Sequence, residues 1–178
     1  MFETQRLQIG QYTLSDTRDY FKLKSCEIVW KYSTFIPINT LAQAESELQQ
    51  IINTKSYQWL GFLPIREKNT KNFIGEAGII SGSCNANRCE IGYNLLPEYW
   101  GKGYATELIA FFIKYAFEVQ KFERIEALVI QDNVASCRVL EKNGFLLEGV
   151  LRNFNKSKDV YRNVCYYGMI NSDYVNSI

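Results

Sequence analysis

Residues 90–117, EIGYNLLPEYWGKGYATELIAFFIKYAF, read as a strand, a glycine-bearing turn and a long helix in one run. Polar and apolar residues mix at strand length from Glu90 to Leu96, and Pro97 stops the ladder because it has no N–H to give. Gly101 and Gly103 admit backbone angles that other residues resist. Ala105, Leu108, Ile109, Phe112, Ile113, Ala116 and Phe117 then recur at i, i+3, i+4, i+7, i+8, i+11 and i+12. That spacing predicts one helix with a continuous buried face.

The turn is where chemistry would lie. A helix entered through Gly101-Lys102-Gly103 presents its unpaired first N–H groups to an anion such as a pyrophosphate. The segment is neither of the familiar phosphate loops: it lacks the GxxxxGK pattern followed by Ser or Thr, and Thr106 stands where GxGxxG requires its third glycine. A tight strand-to-helix turn that binds nothing has the same signature, so this stretch alone leaves both readings open.

Further along, Asn133–Phe145, NVASCRVLEKNGF, follows a strand-like run, Arg124–Ile130. WGKGYATE, then a helix, a strand, NxxSxRVLEKxGF and the residues Glu148, Gly149, Leu151 and Arg152 together resemble the GCN5-related N-acetyltransferases (GNAT). The nearer likeness is to the RimJ/RimL-like branch, whose best-known members acetylate the N-termini of ribosomal proteins. The opening Glu3-Thr4-Gln5-Arg6-Leu7 resembles the start of that branch. The resemblance covers nearly the whole chain, and two motifs in order are far more specific than either alone. It implies acetyl-CoA as acetyl donor, an amine as acceptor and no metal. It also implies a mixed α/β fold, a twisted sheet of six to seven strands with helices on both faces. Parallel strands 90–96 and 124–130 would splay near their C-terminal ends, around the donor's pantetheine arm.

Composition agrees with one domain over 1–178, since 47% hydrophobic and 15% aromatic content suffices for a sizeable core. Twenty basic against nineteen acidic residues leave +1, too little to favour nucleic acid or an anionic membrane as partner. MFETQRLQ has no charged region followed by an apolar run, and Lys114 interrupts Leu108–Phe117 well short of a membrane span. The expectation is a cytoplasmic protein. Five cysteines, Cys26, Cys84, Cys89, Cys137 and Cys165, form no disulfide framework and read as reduced thiols. There is no histidine, which excludes Ser-His-Asp and Cys-His catalysis, an imidazole base and His-ligated zinc.

Outward from the central run, Arg6–Thr13 reads as a first strand and Ser15-Asp16 as the cap of a helix to about Lys24. Ile28–Ile38 is irregular. Thr40 and Gln43 form a capping box for a helix to about Thr54. Trp59–Arg66, Asn72–Ser81 and Arg88–Leu96 read as antiparallel strands with loops at Glu67–Lys71 and Gly82–Asn87. After Arg124–Ile130 come a helix Val134–Asn143 ended by Gly144 and strands Phe145–Leu151 and Tyr161–Ile170. Strand-helix-strand steps demand parallel pairing and hairpins antiparallel pairing, so the sheet is mixed.

The resemblance assigns roles residue by residue. Backbone groups of Asn94, Leu95 and Leu96 would pair with the pantetheine amides, and backbone N–H groups of Gly101, Lys102, Gly103, Tyr104, Ala105 and Thr106 would hold the pyrophosphate. Many relatives carry Gln or Arg at the loop's first position. Trp100 stands there, so that side chain's contact must differ while the backbone cradle survives. Lys102 suits a phosphate by charge, although solvated loop lysines are the commoner case. Asn133 matches a residue that bonds the donor's arm, and would also cap the following helix. Ser136 matches a serine near the thioester sulfur, where it would donate to the departing thiolate; the alternative is a bond to its own helix. Other branches place a tyrosine acid seven residues after the asparagine, but here that position is Leu140. Glu90 matches a glutamate that takes the amine's proton, usually through water; the alternative is a solvated strand-end charge pairing with Arg88 or a neighbour. Glu76 is a second candidate, and Cys137 reads as packing.

The reaction so implied is direct attack of a neutral amine, with the oxyanion held by a backbone N–H of strand 90–96. Deprotonating lysine at pH 7 costs roughly 4.6 kcal/mol, against about 1 kcal/mol for an α-amino group. A protein or peptide N-terminus is therefore the favoured acceptor. A small-molecule amine (amino acid, polyamine or aminoglycoside) is the alternative. Polycations rank lower because the candidate walls, Phe21–Ile38 and Asn153–Asn163, hold Trp30, Tyr32, Phe35, Lys156 and Lys158, with Arg152 beside them, and few carboxylates. A non-catalytic acyl-CoA-binding module also stays open because of Leu140. Exposed strand edges would serve a homodimer, without being locatable in sequence.

Overall fold

A computed structural model describes residues 1–54, 61–83, 85–157 and 159–177. The elements run β1 (Phe2–Glu3), β2 (Leu7–Ile9), α1 (Thr17–Lys24), α2 (Leu41–Asn53), β3 (Leu63–Glu67), β4 (Phe73–Ser83), β5 (Arg88–Leu95), α3 (Tyr104–Lys114), β6 (Arg124–Ile130), α4 (Val134–Lys142), β7 (Leu146–Ser157), β8 (Val160–Ile170) and α5 (Asn171–Ser177). The strands form one sheet in the order β1-β2-β3-β4-β5-β6-β8-β7. Every pair is antiparallel except β5–β6. The strand beyond the expected six to seven is β1, two residues too short to show alternation.

The periodic face of α3 is buried as expected at Leu108, Ile109, Phe112, Ile113, Ala116 and Phe117. The helix itself changes at Tyr115–Val119 into a π-helical turn, which ends with Gln120 N–H donating to Tyr115 O. These residues join Cys137 and Leu140 of α4 and apolar residues of β2 to β6 and β8 in one buried cluster. A second cluster unites Tyr20 and Leu23 of α1, Ala44 and Leu48 of α2, and Trp30. Alternation along β5 divides the two sides: Ile91, Tyr93 and Leu95 join the α3–α4 cluster, while Glu90, Gly92 and Asn94 point the other way.

Two caps follow from side-chain chemistry. Thr40 Oγ1 accepts from Gln43 N–H at 3.2 Å and Gln43 Oε1 accepts from Thr40 N–H at 3.2 Å, closing the box that starts α2. Gly144, at φ +85°, ends α4, with its N–H donating to Glu141 O. The expected first strand is shorter, because Gly10 leaves the ladder after Ile9 and donates to Pro64 O. The strand expected from Trp59 begins at Leu63, and Trp59 and Leu60 lie outside the described residues, as does Cys84. The strand expected to stop at Leu151 runs to Ser157, and α5 is an addition. Among the described residues no helix is long and apolar enough to cross a membrane.

The feature that places the site is where β5 and β6 part. They pair at Arg88–Arg124, Cys89–Ile125 and Glu90–Glu126 and at no later position. β6 stays paired to β8 along its whole length, so β5 is the strand that diverges. A bulge in β4 between Ile79 and Ser81 lies beside this point, Ser81 being opposite Glu90. The extra residue bends and twists the β4–β5 ribbon away from β6.

Candidate active site

The parting of β5 and β6 opens a cavity of about 790 Å³. It is lined by β5 from Glu90 to Leu95, Tyr99–Gly101 and Gly103–Thr106 of the turn, β6 from Ala127 to Ile130, one face of α4, and Ile28, Val29 and Lys31–Ser33 after α1. The last segment belongs to the expected wall Phe21–Ile38. The other expected wall, Asn153–Asn163, contributes no lining residue among those described, because β7 and β8 carry it past the cavity as a hairpin. Lys158 lies outside the described residues.

The turn has the form of an anion cradle. Gly101 and Gly103 take φ +71° and +81°, and no side chain caps α3, whose N-cap is Gly103 itself. A Cβ at Gly101 would meet nothing within 4 Å, so the backbone there is open. Gly101, Gly103, Tyr104, Ala105 and Thr106 all line the cavity. Such a bare helix start fits the diphosphate of acetyl-CoA, and the unpaired edge of β5 fits an amide-bearing arm. Arg6 holds the turn from behind: its Nη1 donates to Lys102 O at 3.0 Å, its Nε to Glu107 at 2.6 Å, and its guanidinium lies 4.5 Å from the Tyr104 ring centre. Arg6 is a residue the sequence reading left without a role.

Three expected contacts are changed by the geometry. Leu96 turns away: its N–H donates to Ile74 O, its carbonyl accepts from Tyr99 N–H, and its side chain is buried in the α1–α2 cluster. Its N–H is thereby taken, and Leu96 is not among the residues that line the cavity. Lys102 does not line the cavity; its Nζ lies 5.5 Å from the Tyr99 ring centre and its carbonyl is held by Arg6. Trp100, the departure from the relatives' loop, folds back so that its Nε1 donates to Leu95 O at 2.7 Å. One lone pair of that carbonyl is thereby used. Asn94 and Leu95 both line the cavity.

On the α4 side, Asn133 is the N-cap, its Oδ1 accepting from Ser136 N–H at 3.3 Å. Ser136 Oγ accepts from the Tyr93 hydroxyl at 3.0 Å and lines the cavity. Burial raises the Tyr93 phenol above its ordinary range, which keeps it a donor to Ser136. Tyr93 is the second residue missed in sequence, because in an alternating strand an aromatic reads as core. Leu140, at the position of the other branches' tyrosine, is buried. Cys137 is also buried and belongs to the core cluster. Burial pushes the Cys89 thiol up to about 12 and raises Cys165 as well, so neither is a nucleophile at neutral pH.

On the other side of β5, Glu90 lines the cavity and accepts from Ser81 Oγ at 2.8 Å. Among the described residues the alternative pairing with Arg88 is not formed, since Arg88 bonds Glu126 instead. Glu76 is fully engaged: it takes Lys24 Nζ at 2.7 Å, the Tyr12 hydroxyl at 3.0 Å and Asn94 Nδ2 at 2.9 Å, and its side chain is 1% exposed. The Lys24 ammonium also lies 4.6 Å from the Trp30 ring centre and 4.9 Å from that of Phe35. Two aromatics expected in the acceptor wall therefore face inward. Among the described residues, the charged ones lining the cavity are Lys31, Glu90, Arg138 and Lys142, three cations against one carboxylate.

A family profile described as "Acetyltransferase (GNAT) domain" matches residues 6–146. YoaA of Bacillus subtilis (strain 168), an uncharacterized N-acetyltransferase, is 34% identical over 158 residues, 86% of this chain and 87% of that protein. Among solved structures, spermidine N-acetyltransferase from Vibrio cholerae in complex with CoA and spermine superposes with a TM-score of 0.84 at 22% identity, covering 97% of this chain and 100% of that one. Ribosomal-protein-S5-alanine acetyltransferase from Vibrio fischeri gives 0.78 at 22% identity, covering 97% of each. At that identity the two structures speak to the fold alone.

Proposed function

The chain belongs to the GNAT acetyltransferases and is an acetyl-CoA-dependent N-acetyltransferase, and from that premise we propose that its acceptor is the α-amino group of a protein or peptide N-terminus, as in the RimJ/RimL-like branch. The observation that carries this reading is the charge of the cavity: Glu90 is the one carboxylate among its described lining residues, beside Lys31, Arg138 and Lys142. Such a wall attracts an anionic donor and repels an acceptor with several ammonium groups. A single amine with an ordinary value near 7.7 needs little help to lose its proton, which matches a site with one candidate base.

Acetyl-CoA supplies the acetyl group already activated as a thioester. The chain's own contribution begins with the amides of Gly101 and of Gly103 to Thr106, which hold the diphosphate. Backbone groups of Asn94 and Leu95 align the arm along β5, and Asn133 borders it from α4. Glu90, oriented by Ser81, takes the amine's proton directly or through water. Ser136 donates to the sulfur from the opposite side of β5. The partition follows from strand alternation, since Glu90 and Tyr93, the partner of Ser136, project to opposite faces.

A polyamine acceptor, which the name of the Vibrio cholerae enzyme would suggest, would need more carboxylates than Glu90, the one carboxylate among the described lining residues. Glu76, the buried candidate, is already neutralised by Lys24. The test is thiol release from acetyl-CoA with a peptide beginning with Ala or Ser, the same peptide N-terminally blocked with an internal lysine free, and spermidine. Turnover with the free terminus alone is expected. Turnover with spermidine alone would replace this reading with a polyamine acetyltransferase.

A further inference from the structure

We propose that Tyr93 is a positioning residue for Ser136: its hydroxyl donates to Ser136 Oγ and so turns the serine's own proton into the cavity, toward the sulfur of CoA. The inference rests on the placement of Ser136 at the sulfur in the reading above. A serine hydroxyl has one proton to donate and two lone pairs to accept with. In a helix that proton usually returns to a carbonyl of the preceding turn, where it is lost to catalysis. Ser136 lies in the first turn of α4; its own N–H is held by Asn133, and its Oγ is the acceptor of the Tyr93 bond at 3.0 Å. Among the described residues no bond donated by Ser136 Oγ is formed, and the residue lines the cavity.

Tyr93 reaches Ser136 because of the splay. It lies on β5 three residues beyond Glu90, the last position paired to β6, so no β6 backbone intervenes between it and α4. Accepting a bond polarises a hydroxyl and strengthens the one it gives. The pair thus supplies from two elements what the Leu140 position lacks.

The balance is simple. The amide C–N bond forms and the C–S bond breaks, its electron pair leaving on sulfur. The amine's proton departs through Glu90 to solvent, and solvent finally protonates the sulfur. Ser136 lends a hydrogen bond to that sulfur while the charge is there. Tyr93 keeps its proton throughout, in keeping with a phenol raised by burial.

The test uses CoA itself and needs no acceptor. The thiol of bound CoA is titrated through the ultraviolet absorbance of its thiolate in the wild type, Tyr93→Phe, Ser136→Ala and the double variant, with CoA affinity measured below the titration. All four keep Lys31, Glu90, Arg138 and Lys142, the charged groups among the described residues that line the cavity. Ser136→Ala is expected to raise the thiol's titration point by about one pH unit, Tyr93→Phe by about half as much, and the double variant no further than Ser136→Ala. Affinity for the neutral thiol stays within about twofold of the wild type. A wild-type value in Tyr93→Phe beside a raised one in Ser136→Ala overturns the role of Tyr93 and leaves that of Ser136 standing. Additive effects overturn it too, because Tyr93 would then act independently of Ser136. No change in Ser136→Ala overturns the placement of Ser136 at the sulfur. Should Tyr93→Phe not fold, fluorotyrosine at position 93 strengthens the donated bond and is expected to lower the titration point; an unchanged value overturns the proposal.

Discussion

Ser136 and Gly103 each differ from alanine by one heavy atom, and each difference carries a separate part of the proposed chemistry. Removing Oγ in Ser136→Ala is expected to lower turnover by about a hundredfold while leaving acetyl-CoA affinity unchanged, as single-turnover kinetics and calorimetry would measure. Loss of binding instead would make Ser136 structural. Adding Cβ in Gly103→Ala acts on the cradle: φ +81° is left-handed, a conformation that costs an L-residue about 1–2 kcal/mol, and the Cβ would stand 3.4 Å from Arg6 Nη2. The turn then relaxes, and CoA affinity is expected to fall about tenfold. Unchanged affinity would show that the diphosphate is held elsewhere. Both residues were legible in sequence, because a motif names the residue and the backbone freedom it needs. Tyr93 and Arg6 were not, because their partners Ser136 and Glu107 are 43 and 101 residues away.

At the scale of elements, the start of α3 is tied to the N-terminal strands through Glu107. Its carboxylate accepts from Thr4 Oγ1, from Arg6 N–H at 2.8 Å and from Arg6 Nε at 2.6 Å. Burial pushes the Glu107 carboxyl up, but these bonds more than offset it and hold the group below the usual carboxylate range. A carboxyl so lowered binds fewer protons folded than unfolded. Its stabilisation is therefore fully present above the unfolded value of about 4.3 and is lost as pH falls through the folded value. Thermal melting is expected to drop more steeply below about pH 4 in the wild type than in Glu107→Gln. Equal slopes would remove this tie from the acid response. Strand-to-helix order and the caps at Thr40 and Gly144 were readable because they depend on neighbours in sequence. The π-helical turn at Tyr115–Val119 was not, since the apolar spacing continues through it unchanged.

Across the whole molecule, Lys24 of α1 and Glu76 of β4 form an ion pair with side chains 8% and 1% exposed. Breaking one side leaves a buried charge without its partner. Lys24→Met is expected to lose about 3–5 kcal/mol in urea unfolding, and Lys24→Met/Glu76→Gln to recover most of it. A double variant as unstable as the single one would show that Lys24 acts through packing against Trp30 and Phe35 instead. The same pair withdraws Glu76 from the chemistry. Sequence could rank Glu76 behind Glu90 as a base but could not exclude it, because the excluding lysine lies 52 residues away.

The sequence by itself determined the run of strand, glycine turn and helix at residues 90–117, the second motif at Asn133–Phe145, and with them the family. These depend on periodicity and on backbone freedom, which are local properties of the chain. The resemblance implied that strands 90–96 and 124–130 splay; only the tertiary structure decided that they part directly after Glu90, that Leu96 and Lys102 turn from the cavity, and that Tyr93 meets Ser136 across the gap. Each of those is a contact or a lost contact between elements far apart in sequence, set by how a bulged and twisted sheet packs against its helices.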